Sequence, residues 1–227
     1  MSSIPIALVG LYGVICSFQY GYESRFFWTS FSIFFVGLGS MAFHGTLLYA
    51  GQAWDELGMI YGTVVFLYVI FEMETKHGQL KYGWLRYGLV AYCIVYSWVY
   101  LFFPNFFIIF VITYIGMVLY LSYKSYLIYS QPSTPKDAKH LLLIGVGTYV
   151  LVFFVMWLPD ILLCHNTQWM NLHAWFHLGS AVGPYSIMTF LCFERHRRIH
   201  KEPKISYFQI LGIIPLPYVQ LLDIKVD

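Results

Sequence analysis

Five polar side chains recur in this sequence at spacings that suit metal chemistry. Ser40 and His44 are four residues apart, as are His173 and His177, and Asp55 follows His44 by eleven residues. Residues four apart share one face of a helix. Three imidazoles with one coordination position left open suit a catalytic zinc. Zinc lowers the pKa of a bound water from about 15.7 towards 7. A carboxylate beside the metal takes that water's proton, and a hydroxyl holds the water or a developing oxyanion. On this pattern His44, His173 and His177 are the metal ligands, Asp55 is the base and Ser40 the supporting hydroxyl. Each part also has a plainer use. A lone histidine inside a helix bundle is commonly a hydrogen-bonded interior residue, and an i,i+4 pair serves equally in a proton relay or a haem site. Spacing does not choose between Asp55 and Glu56, which point about 100° apart on one helix. Asp160 can pair with backbone at a helix end. Glu72 and Glu194 fall at helix ends, where solvent is expected to reach them.

The elements that carry these residues are membrane helices. Of 227 residues, 59% are hydrophobic, 21% aromatic and 11% charged. Soluble domains carry about 25% charged residues, so the solvent here is lipid. Hydropathy and punctuation predict seven spans, over residues 4–19, 26–48, 53–71, 85–102, 106–127, 141–163 and 172–193. The expected fold is therefore an all-α membrane protein, a bundle of about seven transmembrane helices around an intramembrane zinc site. Residues 1–200 form the helical domain and 201–227 a cytosolic tail. The apolar stretch near 210–222 contains Pro215 and Pro217 and is expected at the interface rather than across it. The four cysteines are scattered, never fall in a CxxC pair, and read as small apolar side chains. Tyr and Trp read mostly as interface belts and packing, with some lining an acyl pocket.

All 13 Lys and Arg fall in the odd-numbered loops and the tail. The positive-inside rule then places the C-terminus in the cytosol and the N-terminus opposite. That orientation brings His44, Asp55, His173 and His177, with Ser40, to one depth in the outer third of the membrane. The topology came from basic residues alone, so the convergence is an independent check on the site.

At these residues the sequence resembles the alkaline ceramidase family. The matching segments are Gly39-Ser40-Met41-Ala42-Phe43-His44, Gln52-Ala53-Trp54-Asp55-Glu56-Leu57 and His173-Ala174-Trp175-Phe176-His177, with a weaker match at Trp157 to Asp160. The resemblance implies a seven-helix zinc amidohydrolase of the endoplasmic reticulum or Golgi that splits ceramides into a sphingoid base and a fatty acid. It assigns zinc to His44, His173 and His177, water activation to Asp55, and support of the water or oxyanion to Ser40. The expected partners are a ceramide-type lipid substrate, which would enter from the bilayer between helices, and membrane lipids, with no nucleic acid. Phe176 stands where the family often has a second Trp. The family also carries a calcium-binding acidic segment before its first helix. The present chain starts almost at helix one, which is short at 16 residues, so the N-terminus reads as truncated and the calcium site as absent. Two other functions fit the same bundle: a receptor of the adiponectin-receptor kind, and an inactive truncated paralogue.

Overall fold

A computed structural model describes residues 2–103, 106–199, 201–210 and 212–222, apart from the side chains of Cys164 and Leu222. Seven helices account for most of it: α1 Ile4–Gln19, α2 Ser24–Thr46, α3 Tyr49–Phe71, α4 Leu85–Phe102, α5 Phe107–Tyr129, α6 Lys136–Leu162 and α7 Leu172–Arg198. The last six are long and apolar enough to cross a membrane, and α1 is a shorter apolar helix of 16 residues. The chain is thus an all-α, multi-pass membrane protein. Several helices outrun the predicted spans, because hydropathy marks the part inside lipid and not the polar turns beyond it. The sixth helix starts at Lys136, directly after an extended Pro135 and with Asp137 in its first turn, a favourable start. The third starts at Tyr49, four residues before the predicted Ala53.

Large apolar side chains face outward along the bundle, among them Ile94, Ile108, Leu119 and Leu143, which is the surface a lipid solvent asks for. Helices α2 and α7 are central. The second packs between α1 and α3, and the seventh against α6 and α1. Without a hydrophobic drive between helices in lipid, close backbone approach does this work, and small residues permit it. A Cβ at Gly10 would strike the Phe34 backbone, and one at Gly37 the backbone of Ala7. On α7, Gly179 and Gly183 sit against Val152 and Tyr149 of α6. Helix α6 widens to a π-helix over Val152–Trp157 just before Pro159. Cys16 and Cys192 are buried free thiols and Cys93 is half-buried, as expected of small apolar side chains. The Cys164 side chain lies outside the described set.

At the end that carries the basic residues, the structure overturns one expectation. Glu72 and Glu194 are fully buried rather than solvated. Glu72 accepts the backbone N–H groups of Lys81 and Tyr82, both at 2.8 Å, and Glu194 pairs with Arg197 at 2.8 Å. Fully buried Arg195 grips Glu23 through Nε at 2.8 Å and Nη2 at 2.9 Å, and also donates to the carbonyls of Met73 and Thr75. Arg25 meets Glu23 at 3.0 Å and donates to the Glu72 carbonyl at 2.7 Å. Buried charge survives only when paired, and these pairs tie the α1–α2 and α3–α4 loops to the end of α7.

Beyond α7 the chain forms a β-hairpin, β1 Glu202–Ile210 and β2 Ile214–Leu222, turning through Gly212 at φ 73°. The 210–222 stretch expected at the interface supplies its second strand. Proline has no N–H, so Pro203, Pro215 and Pro217 occupy positions facing away from the partner strand. The outer edge of β2 is then covered by the bundle. The Val219 N–H donates to the Tyr22 hydroxyl at 2.9 Å, the Tyr22 hydroxyl donates to the Val219 carbonyl at 2.6 Å, and the Tyr185 hydroxyl donates to the Pro217 carbonyl at 2.7 Å. Tyr185 lies near the middle of α7, where an uncovered strand edge would be costly.

Candidate metal centre

Two tight backbone features set the site. Helix α2 ends at Leu47, held in the left-handed region at φ 54°, and α3 begins two residues later. Asn171, at φ 49°, opens α7. A left-handed aliphatic residue is costly and such strain collects near functional sites, whereas asparagine tolerates it. The first turn lays α2 and α3 side by side, with the Gly39 backbone close enough to α3 that a Cβ would come within 3.1 Å of the Asp55 nitrogen. The second aims the first turns of α7 at the end of α2.

The structure brings His44, His173 and His177 together. Their ring centroids lie 5.0, 4.8 and 4.7 Å apart in the pairs 44–173, 44–177 and 173–177. One ligand nitrogen from each lies within 4.8 Å of the others. Tetrahedral bonds of about 2.0–2.1 Å to imidazole nitrogen would need nitrogens roughly 3.4 Å apart, somewhat closer than that limit. His177 is buried. The donor set therefore fits a metal ion.

Further contacts orient the rings. His173 Nδ1 lies 3.2 Å from Asp160 Oδ2, so Asp160 partners a histidine and not helix-end backbone. His177 Nδ1 lies 2.9 Å from Ser3 Oγ and 3.0 Å from Ser2 Oγ, and Ser3 Oγ lies 3.0 Å from Ser40 Oγ. With both Nδ1 atoms in hydrogen bonds, the Nε2 atoms of His173 and His177 are the ones left for a metal. Such partners fix tautomer and ring angle in metal sites. Sequence reasoning missed Ser3 and misjudged Asp160. The available signal for Asp160 was its place one residue after Pro159, where the widened end of α6 turns inward.

Asp55 and Glu56 separate by their partners. Glu56 accepts from Gln52 Nε2 at 2.7 Å and from the Tyr100 hydroxyl at 2.8 Å, which ties it to α4. Both carboxylates line one cavity with Ser40, His44, His173 and His177, and among the described residues the Asp55 carboxylate makes no such tie to α4. That cavity has a volume of about 310 Å³, within the range of small-molecule sites. One face of α5 forms its wall, from Phe107 through Phe110, Val111, Tyr114 and Val118 to Ser122. At 1.5 Å per residue that wall is roughly 22 Å long. The lining is mostly apolar. Its hydroxyls include Tyr114 and Tyr149, which are hydrogen-bonded to each other between α5 and α6. Three histidines thus stand at one end of a long, mostly apolar cavity, a layout that would present the polar head of a lipid to a metal.

Comparison with known proteins points the same way. Residues 1–220 match the family model described as Ceramidase. A protein of Arabidopsis thaliana named alkaline ceramidase is 27% identical over 225 residues, covering 97% of this chain and 84% of that one. A Mus musculus protein named alkaline ceramidase 3 is 26% identical over 232 residues, covering 95% and 82%. Since the family match takes in all seven helices and every residue of the histidine cavity, this chain belongs to the ceramidase family of amide hydrolases.

Proposed function

We propose that the chain is a zinc-dependent ceramidase that hydrolyses the amide bond of ceramides, with His44, His173 and His177 as ligands, Asp55 as general base and acid, and Ser40 as a supporting hydroxyl. The observation that carries this reading is the combination of the three-histidine cluster with the Asp55 carboxylate and the Ser40 hydroxyl in one mostly apolar cavity, whose α5 wall is roughly 22 Å long. Zinc held by three imidazoles supplies a Lewis acid and a water acidic enough to ionise near neutral pH.

The chain's own residues supply the rest. The channel takes an acyl or sphingoid chain and excludes bulk water, leaving the amide beside the histidines. Asp55 accepts the proton of the attacking water as its oxygen adds to the carbonyl carbon. Ser40 donates to the water or to the developing oxyanion. As the C–N bond breaks, Asp55 returns the proton to the leaving nitrogen, giving a free fatty acid and a sphingoid base. Asp160 holds His173 in register and Ser3 does the same for His177. The one-sided distribution of Lys and Arg supports a cytosolic C-terminus, with the site near the opposite face of the endoplasmic reticulum or Golgi membrane.

The test is release of sphingoid base from ceramide by the purified protein, before and after a zinc-selective chelator and after zinc is restored. Hydrolysis that the chelator abolishes and zinc returns is expected. Full activity with no bound metal would overturn the zinc assignment, and hydrolysis of another lipid amide in preference to ceramide would overturn the substrate.

A further inference from the structure

A second, larger cavity lies on the other side of α3. Its volume is about 890 Å³ and it opens between α2, α3 and α4 at the basic end of the bundle. The two cavities share no residue: Met59, Gly62, Thr63 and Phe66 of α3 face the histidine channel, whereas Tyr61, Val64, Val65 and Tyr68 face this cleft. We propose that the cleft binds one anionic phospholipid of the adjoining leaflet, with its phosphate on Arg86 and its chains along α4.

The cleft is graded as such a lipid is. Its mouth carries Glu23, Arg25, His77, Gln79 and Arg86, and its wall is Trp28, Val64, Leu89 and Ile94. The deepest polar groups need no ligand, because the Tyr61 hydroxyl bonds Ser97 Oγ, which in turn bonds the Cys93 carbonyl. From Arg86 to Ser97 the wall runs roughly 16 Å, about half of a ~30 Å hydrocarbon core. It therefore spans one leaflet, the depth of an acyl chain whose head group stays at the surface.

Charge selects the head group. Arg25 is consumed by Glu23 and the Glu72 carbonyl, and Glu23 is further neutralised by Arg195. Among the described residues, Arg86 has no carboxylate within 4.0 Å. Its guanidinium rests on the Tyr87 ring and donates to the Tyr87 hydroxyl at 2.8 Å. An arginine fork with donors to spare suits a phosphate, and basic pockets between transmembrane helices are a known form of anionic-lipid site. Helix α4 has use for such a ligand. Among the described residues its buried members are Tyr96 and Tyr100, both towards the far end, and the turns near Arg86 bury no side chain. A bound lipid bridges α4 to α2 across the cleft. The proposal stands on this geometry and not on the chemistry of the histidine site.

Trp28 in the cleft wall is the reporter. The full chain is placed in phosphatidylcholine nanodiscs containing, in turn, bromine-labelled phosphatidic acid, bromine-labelled phosphatidylcholine or a bromine-labelled free fatty acid. The Trp28 contribution is the difference between the native chain and Trp28→Phe. We expect phosphatidic acid to quench it several-fold more than phosphatidylcholine or the fatty acid at equal mole fraction, and Arg86→Gln to remove that preference. Native mass spectrometry, which needs no Trp28 variant, should retain one phosphatidic acid per native chain and none on Arg86→Gln. Equal quenching by both phospholipids, stronger quenching by the fatty acid, or a preference that survives Arg86→Gln would overturn the proposal.

Discussion

Asp160 carries the most direct consequence at the scale of single residues. Its carboxylate stands 3.2 Å from the ring nitrogen of His173 that a metal would leave free. Removing such a partner commonly costs 10–100-fold in metal affinity. We expect Asp160→Asn to weaken zinc binding by about that factor in a chelator competition, while the saturated protein keeps much of its rate. Unchanged affinity would make Asp160 an ordinary helix-end residue. Asp55 should behave in the opposite way. It lines the cavity without holding the rings, so Asp55→Asn should retain zinc and lose about 10²–10⁴-fold in rate, the usual weight of a general base. Glu56→Gln should leave the rate nearly intact, since that carboxylate is spent on Gln52 and Tyr100. If the two variants traded behaviours, the assignment on α3 would be reversed.

At the scale of elements, α1 is more than the first span of the bundle. Gly10 and Gly37 let it lie against α2 with backbone touching backbone, and that contact seats Ser3 on His177 and Ser40. Gly37→Leu should therefore do two things. Overpacking should cost about 1–3 kcal/mol or more, visible as a lower Tm. Displacement of α1 should also strip His177 of its partner and lower zinc occupancy. A variant with lower Tm but full zinc affinity would show that Ser3 has no part in orienting the ring. The π-helical stretch of α6 is a similar device. It widens the helix over Val152–Trp157 and presents Asp160 to α7, in keeping with the frequent use of such widened turns at functional sites.

The whole molecule is pinned at its basic end by charge. Burial alone would push the Glu23 carboxyl up, but the hydrogen bonds from Arg195 and the charges of Arg25 and Arg195 outweigh it and hold the group down at about 2. A carboxylate whose pKa is lower folded than unfolded stabilises the fold above its unfolded pKa and loses that contribution as pH falls through the folded value. The Glu23 contribution should thus be complete above about pH 4.5 and fade towards pH 2, and its size is on the order of 3 kcal/mol. Thermal unfolding against pH should show this loss, and Arg195→Ala, which leaves Glu23 with Arg25 as its one arginine partner, should shrink it and lower Tm at neutral pH. The same end decides orientation. A glycosylation acceptor inserted near Asn166 should be modified and one near Ser133 should not. The reverse pattern would put the histidine site near the cytosolic face.

Much of this protein is written in local pattern. Charge scarcity and hydropathy marked seven helices close to where they lie, because lipid imposes one rule on every span. The i,i+4 spacings marked the histidines that the fold brings together, because a single helix face is visible in its own spacing. What stands opposite that face is not. Glu72 and Glu194 sit at helix ends that look solvated, and only the fold covers them with the loops and α7. Asp55 and Glu56 are equal in sequence, and it is the approach of α4 that gives Glu56 the Tyr100 hydroxyl as a partner. Asp160 and Ser3 reach the histidines from 13 and 174 residues away along the chain, and the cleft beside Arg86 exists only because α4 stands apart from α2. Periodicity records which side of a helix is polar, whereas the partner a polar group finds depends on how helices distant in sequence are packed together.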